Sequence, residues 1–106
     1  MSYRFMRIII FFDLPIETSQ DRQEYSRFHK YLIKSGFLMM QKSVYCKLAL
    51  NQTTAGTILD NIRKNKPSSG LIQALTITEK QYEKMEFILG KYEGDIITSD
   101  ERYIKL

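Results

Sequence analysis

The longest apolar run of the chain extends from Ile8 to Phe12 and stops on the carboxylate of Asp13. Side chains alternate across a strand, so a strand here carries two apolar sets. They are Met6, Ile8, Ile10 and Phe12 on one side and Phe5, Ile9 and Phe11 on the other. A strand that is apolar on both faces is covered twice. We therefore expect helices of the same chain on one side and something else on the other.

The segment from Thr18 to Lys34 has the pattern of an amphipathic helix. Its apolar residues recur at i, i+3 and i+7, which places them on one buried stripe. They are Tyr25, Phe28 and Leu32. Thr18 with Asp21 makes a capping-type start, and Gly36 is placed to end the helix. His29 flanks the stripe, where we expect it to be packed and neutral rather than catalytic.

The rest of the chain predicts five further elements. They are strands at 37–41, 44–50 and 70–78, a helix at 51–65 that turns Ala55, Ile58, Leu59 and Ile62 inward, and a short helix at 78–89 that buries Tyr82, Met85 and Leu89. Lys42 and Ser43 fit a tight hairpin between the first two strands. The order β-α-β-β-α-β predicts an α+β, ferredoxin-like core over residues 1–78. Residues 79–106 add the short helix, a polar linker with Gly94 and a strand-like end at 101–106.

This order predicts a four-stranded antiparallel sheet with both helices on one face. The apolar residues of the other face then need another partner, and the simplest is a second copy of the chain related by a two-fold axis. A terminal strand so far from the core either covers an edge of its own sheet or crosses to the second copy.

Composition bounds the class of protein. A chain of 106 residues with 43% hydrophobic and 26% charged residues is typical of one soluble domain. No apolar run reaches the ~18 residues of a membrane span, and the N-terminus does not have the pattern of a signal peptide. A lone Cys46 excludes an internal disulfide framework, and with a single His it argues against a zinc site. We expect a cytoplasmic protein with no membrane partner.

The net charge of +4 is unevenly placed. Residues 1–78 hold 11 Lys and Arg against 5 Asp and Glu, whereas residues 79–106 hold 5 against 7. A basic body suits a polyanion partner, since neutralising phosphates is the sequence-independent part of nucleic-acid affinity. A plain solvated surface is equally compatible with this charge distribution.

Two groups of cations are candidates for phosphate binding. Arg27, Lys30 and Lys34 repeat the helix spacing opposite the apolar stripe, and Arg63, Lys64 and Lys66 follow at the end of the second long helix. The first group is also the ordinary solvated side of a helix. The second also suits the negative end of the helix dipole. Both interpretations stay open for each group.

Asp13 is the candidate for chemistry. The chain has no glycine-rich phosphate loop, no Ser-His-Asp order and no Cys-His pair, so nucleophilic catalysis has no support. One carboxylate is too little for a hydrolytic metal site. Two copies of Asp13 beside a two-fold axis would hold one Mg²⁺, which polarises a phosphodiester and lowers the pKa of an attacking water. The alternatives are two distant carboxylates that bind nothing, or ordinary loop chemistry before Leu14 and Pro15.

Three motifs together resemble a known family. They are the strand ending IIIFFD, the helix closing on SGF, and the run from Gln41 to Tyr45, QKSVY, which fits a QxSVY pattern. Across essentially the whole chain the sequence resembles the Cas-two (Cas2) proteins of CRISPR systems, the smaller of the two universal spacer-acquisition subunits. The segments DLPIET, SVYCKL and SDERYIKL are closest in style to the version from type II-A systems.

The resemblance implies a homodimer whose two sheets face each other, with each C-terminal strand joining the partner's sheet. Such dimers form the centre of a complex with the integrase subunit, Cas-one (Cas1), and help to hold the double-stranded DNA of a new spacer. Some members are also endonucleases of RNA or DNA that depend on Mg²⁺ or Mn²⁺. The resemblance implies that Asp13 is the metal ligand and catalytic residue, and that Arg27 matches a helix Arg used by some members.

This chain departs from the family pattern at two positions. Many members have Tyr immediately before the Asp, where this chain has Phe12, and some have Arg where it has Met39. The departures weaken the endonuclease prediction. We therefore expect first a DNA-binding scaffold for the integrase, with phosphates bound by the two cation groups, and second a metal-dependent endonuclease. A toxin-like ribonuclease or a small regulatory domain of ferredoxin-like fold is the alternative.

Overall fold

The computed structural model describes residues 4–91, and in this range the elements follow the predicted order. They are β1 (Met6–Asp13), α1 (Ser19–Lys34), β2 (Leu38–Gln41), β3 (Val44–Ala49), α2 (Gln52–Lys64), β4 (Leu71–Thr78) and α3 (Glu79–Tyr82). From α1 to β4, each end lies within one residue of the prediction. The predicted linker at Gly94 and the predicted strand at 101–106 lie outside the described residues.

The four strands form one antiparallel sheet in the order β2-β3-β1-β4. The strand β1 is central, and its Ile10 lies opposite Tyr45 of β3 and Ala74 of β4. With α1 and α2 connecting the strands, this is the α+β, ferredoxin-like arrangement that the sequence predicts. No helix in the described range is long and apolar enough to cross a membrane.

Local hydrogen bonds define the ends of α1. Thr18 Oγ1 accepts from the Asp21 amide at 2.9 Å, and the Asp21 carboxylate accepts from the Thr18 amide at 3.1 Å, which completes a capping box. After the last turn, Gly36 takes φ +97°, a conformation that favours glycine. The Lys47 ammonium donates to the Ser35 carbonyl at 2.6 Å, so a residue of β3 satisfies a carbonyl just beyond the helix.

The core lies between the two long helices and one face of the sheet. The predicted inward residues Phe28, Leu32, Ala55 and Ile62 are buried there against Met6, Ile8, Ile10 and Phe12 of β1. At the Asp13 end of this layer, Phe12 stacks on Tyr45 with ring centroids 5.4 Å apart and meets Phe28 edge-on at the same distance. Phe12 is therefore a core residue.

The face of the sheet that carries no helix layer is here called the open face. It consists of Arg7, Ile9, Phe11 and Asp13 of β1 with the residues paired to them, Val44, Cys46 and Leu48 of β3 and Leu71, Gln73, Leu75 and Ile77 of β4. The exposed fraction of Phe11 is 38% and that of Leu75 is 48%. The prediction that β1 is apolar on both faces is confirmed.

The prediction of a helix from Thr78 to Leu89 is wrong in its length. The helix α3 ends at Tyr82, although Thr78 and Gln81 form the expected capping box at its start. Met85 is exposed rather than buried, and Leu89 is 95% exposed. A short helix is stabilised chiefly by packing an apolar face against other elements, and neither Met85 nor Leu89 is buried in this way.

Candidate functional site

Asp13 lies at the end of β1, on the open face and exposed. It lines a shallow cleft of about 200 Å³ with Phe11, Phe12, Ser43, Val44, Leu71 and Gln73. Within the described range its carboxylate has no hydrogen bond and no ion pair. An unpaired carboxylate beside apolar walls and two uncharged polar residues is available to bind a cation or a water molecule.

The backbone of the Asp13 end is held by its neighbours on both sides. The Phe12 amide donates to the Ser43 carbonyl at 3.1 Å. On the other side, Gly70 takes φ +107°, and a Cβ atom there would lie 2.6 Å from Leu14 Cδ2 and 3.0 Å from the Asp13 carbonyl oxygen. Only glycine allows this approach. Sequence reasoning placed Gly70 at the start of a strand but missed its contact with Asp13.

The turn that borders the cleft has an unusual backbone. Ser43 takes φ +67° in the two-residue connection between β2 and β3, where Asn or Gly is more common. Ser43 and Gln73 are the polar neighbours that Asp13 gains from the fold. The sequence signal for Gln73 was its position in an otherwise apolar face of β4, two residues after Leu71.

The oxygen donors of the cleft fit a hydrated Mg²⁺ ion only in part. The described residues contain no group of three or more His, Cys, Asp or Glu that could hold a metal. One carboxylate with the side-chain oxygens of Ser43 and Gln73 leaves about half of the octahedral positions to water, and Mg²⁺ in proteins is usually bound by one or two carboxylates with several waters. A single chain thus provides half of the predicted pair of carboxylates.

The structure places Arg27 of the first cation group against the end of α2. Its guanidinium donates to the Asn65 carbonyl at 3.2 Å and contacts the Glu24 carboxylate at 3.3 Å. Asn65 is the residue that ends α2, so Arg27 of α1 lies against the end of the helix that carries Arg63 and Lys64. The other cations of the two groups, Lys30, Lys34 and Lys66, are exposed.

These cations lie in the helical layer, whereas Asp13 lies on the open face. The guanidinium of Arg27 is engaged by Asn65 and Glu24, and Arg63 forms an ion pair with Asp60 at 2.5 Å. Exposed ion pairs of this kind contribute little to stability. Within one chain, Asp13 and Arg27 therefore belong to separate surfaces.

A third cluster, around Arg7 near the start of β1, was missed by sequence reasoning. Its guanidinium donates to both oxygens of Glu79, at 2.8 and 2.6 Å, and lies 4.2 Å from the centre of the Tyr82 ring. Burial lowers the pKa of Arg7, but the hydrogen bonds with Glu79 and the charges of Cys46, Glu79 and Tyr82 together outweigh it, so that the pKa is raised above its ordinary value. The available signal was a charged residue inside an apolar strand.

His29 and Tyr45 form a contact inside the helical layer. The Tyr45 hydroxyl lies 2.5 Å from His29 Nδ1, and the Tyr45 side chain is buried. Burial, and then the nearby hydroxyl of Tyr25, raise the pKa of Tyr45 to about 12. His29 is packed against Tyr45 as expected and has no contact with the cleft at Asp13.

Comparisons with known proteins agree on one family. The family model described as CRISPR associated protein Cas2 matches residues 6–85. A protein of Treponema denticola named CRISPR-associated endoribonuclease Cas2 is 55% identical over 101 residues, which cover 95% of this chain and all of the relative. Proteins with the same name from Ligilactobacillus salivarius and Streptococcus mutans are 46% and 40% identical over 95% of this chain, covering 100% and 93% of the relatives.

A solved structure described as a crystal structure of Cas2 has a similar fold. The TM-score is 0.57, and the match covers 89% of this chain and 97% of the solved one. The sequences are 14% identical, so this likeness is evidence for the fold alone.

Proposed function

Because this chain belongs to the Cas2 family of CRISPR-associated proteins, we propose that it is a metal-dependent endoribonuclease of a CRISPR system with Asp13 as its catalytic residue. The observation that carries the proposal is the unpaired Asp13 carboxylate in its cleft on the open face. The names of the relatives support RNA as the substrate. Family membership favours this role over a toxin-like ribonuclease or a small regulatory domain.

The proposed active form is a homodimer in which two open faces meet. Phe11, Leu71 and Leu75 expose apolar surface next to Asp13, and a second copy would bury it. A two-fold axis near this end would bring a second Asp13 to the cleft. We propose further that residues 79–106 follow the core of residues 1–78 as a separate C-terminal part, and that its strand-like end at 101–106 joins the partner's sheet.

In this dimer, the two Asp13 carboxylates would hold a Mg²⁺ or Mn²⁺ ion, with Ser43 and Gln73 as neutral neighbours. When bound, the ion supplies polarisation of the phosphodiester and a lower pKa of the attacking water. The chain's own contribution is to hold Asp13 at a rigid strand end, where Gly70 and Ser43 restrict the backbone. In the proposed dimer, a second copy would cover the exposed apolar walls of the cleft, Phe11 and Leu71, and reduce the contact of bulk water with the ion.

The nuclease proposal is tested by Asp13→Asn, assayed for cleavage of a single-stranded RNA with Mg²⁺, with Mn²⁺ and with EDTA. We expect cleavage to fall about a hundredfold or more, because even outer partners of a metal site are worth 10–100-fold. Asp60→Asn is the matched control, since Asp60 is an exposed carboxylate on α2. Cleavage retained in Asp13→Asn, or unaffected by EDTA, would contradict the proposal.

A second candidate function is a scaffold that binds the double-stranded DNA of a spacer precursor and the integrase Cas1. The observation that favours it is the contact of Arg27 with Asn65, which places one cation of α1 beside the helix end that carries Arg63 and Lys64. Contacts of Lys and Arg with phosphates give affinity without base recognition. The two functions use different surfaces of the chain and are compatible.

The scaffold is tested with a duplex of about 30 base pairs titrated at several salt concentrations. Replacing Arg63, Lys64 and Lys66 with Gln should weaken binding and reduce the slope of log K against log salt by about 0.9 for each phosphate that the variant no longer neutralises. Gln at Lys80, Lys84 and Lys91 removes the same charge outside the two groups and is the control. Equal effects in both triple variants, or no co-purification with Cas1, would contradict a scaffold on this surface.

A further inference from the structure

Part of the open face is buried although no helix layer covers it. Cys46 is 1% exposed and Ile9 is 5% exposed, whereas Phe11 and Leu75 on the same face are 38% and 48% exposed. The Tyr82 hydroxyl lies 3.7 Å from Cys46 Sγ. The chain itself, in the turn after β4, therefore covers the centre of the open face.

The contacts that hold this turn converge on Arg7. The guanidinium of Arg7 and the carboxylate of Glu79 form a two-pronged pair, and the side chains are 15% and 23% exposed. Bidentate pairs of Arg with carboxylate are among the stronger hydrogen bonds, and partial burial reduces their screening by salt. The Tyr82 ring adds a cation–π contact, and Nη1 of Arg7 lies 3.8 Å from Cys46 Sγ.

The turn buries little side-chain surface of its own. The helix α3 is four residues long and contains no buried residue. Its start is tied to β1 by a bond from the Glu79 amide to the Phe5 carbonyl at 2.9 Å. Segments with few buried apolar contacts open locally at a lower free energy than the whole domain unfolds. The side chains around Arg7 therefore decide whether this segment stays on the sheet.

We propose that Arg7, Glu79 and Tyr82 form a latch that holds the segment after β4 over Cys46, and that local opening of this latch uncovers the centre of the open face. With the latch closed, the chain covers Ile9 and Cys46 and leaves the apolar surface near Asp13 accessible. With the latch open, the exposed apolar surface extends across β1 and β3. The latch thus controls how much of the open face is available for binding, and it does so within one chain.

Cys46 is the sole cysteine of the sequence, so its thiol reports directly on the latch. The experiment measures the rate at which 5,5′-dithiobis(2-nitrobenzoic acid) modifies Cys46 in the native full chain. We expect slow modification in the natural protein and a rate about tenfold to a hundredfold higher in Glu79→Gln, because a charge-assisted bond is replaced by a weaker neutral one. Tyr82→Ala should act in the same direction.

Glu83→Gln is the matched control. It removes the same charge four residues later, from an exposed side chain that forms no hydrogen bond or ion pair in the described range. Its rate should equal that of the natural protein. Equal acceleration in Glu79→Gln and Glu83→Gln would overturn the latch, and so would a natural protein that reacts as fast as the unfolded chain.

Two further readouts separate the latch from other causes of protection. Local opening exposes little surface, so low urea concentrations should barely change the modification rate; a steep increase with urea would indicate global unfolding and overturn the latch. Protection within one chain is independent of protein concentration. A rate that falls as protein concentration rises would assign the cover to a second copy, which overturns the latch while supporting the proposed homodimer.

Discussion

At the scale of single residues, the position of Asp13 depends on a neighbour that carries no side chain. Gly70 takes φ +107° and lies close to the end of β1. A Cβ atom at this position would lie 3.0 Å from the Asp13 carbonyl oxygen. Strain in this part of the Ramachandran map and a steric clash both oppose any substitution. The residue just before β4 therefore helps to fix the backbone position of Asp13 in the candidate site.

Gly70→Ala should lower the free energy of unfolding by about 2 kcal/mol or more and displace the end of β1, reducing cleavage in parallel. Gly56 offers the opposite case, because a Cβ atom there meets nothing within 4 Å on α2. Gly56→Ala should raise stability by up to about 1 kcal/mol. Urea unfolding of the two variants measures both effects, and a Gly70→Ala protein as stable as the natural one would contradict this account of the site.

A second prediction at this scale concerns alkaline pH. An unfolded Tyr loses its proton near pH 10, whereas the pKa of Tyr45 in the folded protein is about 12. The folded state therefore keeps a proton that the unfolded state has lost. The contribution of Tyr45 to the free energy of unfolding is fully present below pH 10. It falls between about pH 10 and pH 12, by roughly 1.4 kcal/mol per pH unit.

The measurement is urea unfolding from pH 8 to pH 12 in the natural protein and in Tyr45→Phe. The variant lacks the hydroxyl, so its alkaline loss of stability should be smaller, although it is less stable at pH 8 without the contact with His29. Parallel pH profiles in the two proteins would mean that another group causes the loss.

At the scale of elements, the same capping box has different consequences in α1 and α3. Both helices begin with a Thr whose hydroxyl accepts from the third helical residue, Asp21 in α1 and Gln81 in α3. The helix α1 also buries Phe28 and Leu32, whereas α3 buries no residue. Local signals determine where a helix begins, but packing determines how far it continues.

Thr18→Ala should therefore lower the free energy of global unfolding by about 1 kcal/mol, as loss of a helix cap usually does. Thr78→Ala should change global unfolding less and raise the modification rate of Cys46 more, because α3 opens locally. Urea unfolding and thiol modification of both variants provide the comparison. The same response of the two variants in both measurements would show that α3 unfolds together with the sheet.

At the scale of the whole molecule, the open face is the feature that one chain leaves incomplete. Its large apolar side chains near Asp13 are exposed, because the two long helices α1 and α2 cover only the other face. Exposed apolar surface of this extent marks a binding site in soluble proteins. A second copy of the chain, related by a two-fold axis, would cover this surface and also bring a second Asp13 carboxylate to the cleft.

Leu75→Lys should therefore weaken the proposed homodimer by at least about tenfold in Kd without unfolding the chain, since Leu75 is already half-exposed and β4 is an edge strand. Ile33→Lys places the same charge on an exposed position of α1, in the helical layer, and is the control. Sedimentation equilibrium measures both. A dimer that survives Leu75→Lys but not Ile33→Lys would place the interface on the helices.

Much of the fold is predictable from the sequence because its signals are local. The capping boxes at Thr18 and Thr78, the glycine after α1 and the apolar spacing of α1 and α2 each lie within a few residues of the structure that they specify. The alternation along β1 also predicted both apolar faces, and Asp13 was located as the residue at the end of this strand. These features depend on interactions between residues that are close in sequence, so one sequence is enough to predict them.

Tertiary structure alone decided the features that join distant parts of the chain. The pair of Arg7 with Glu79 joins residues 72 positions apart, and the contact of Arg27 with Asn65 joins residues 38 positions apart. The early end of α3 and the approach of Gly70 to Asp13 have the same origin. No periodicity or spacing encodes them, because their energies come from contacts that exist only after the sheet has formed.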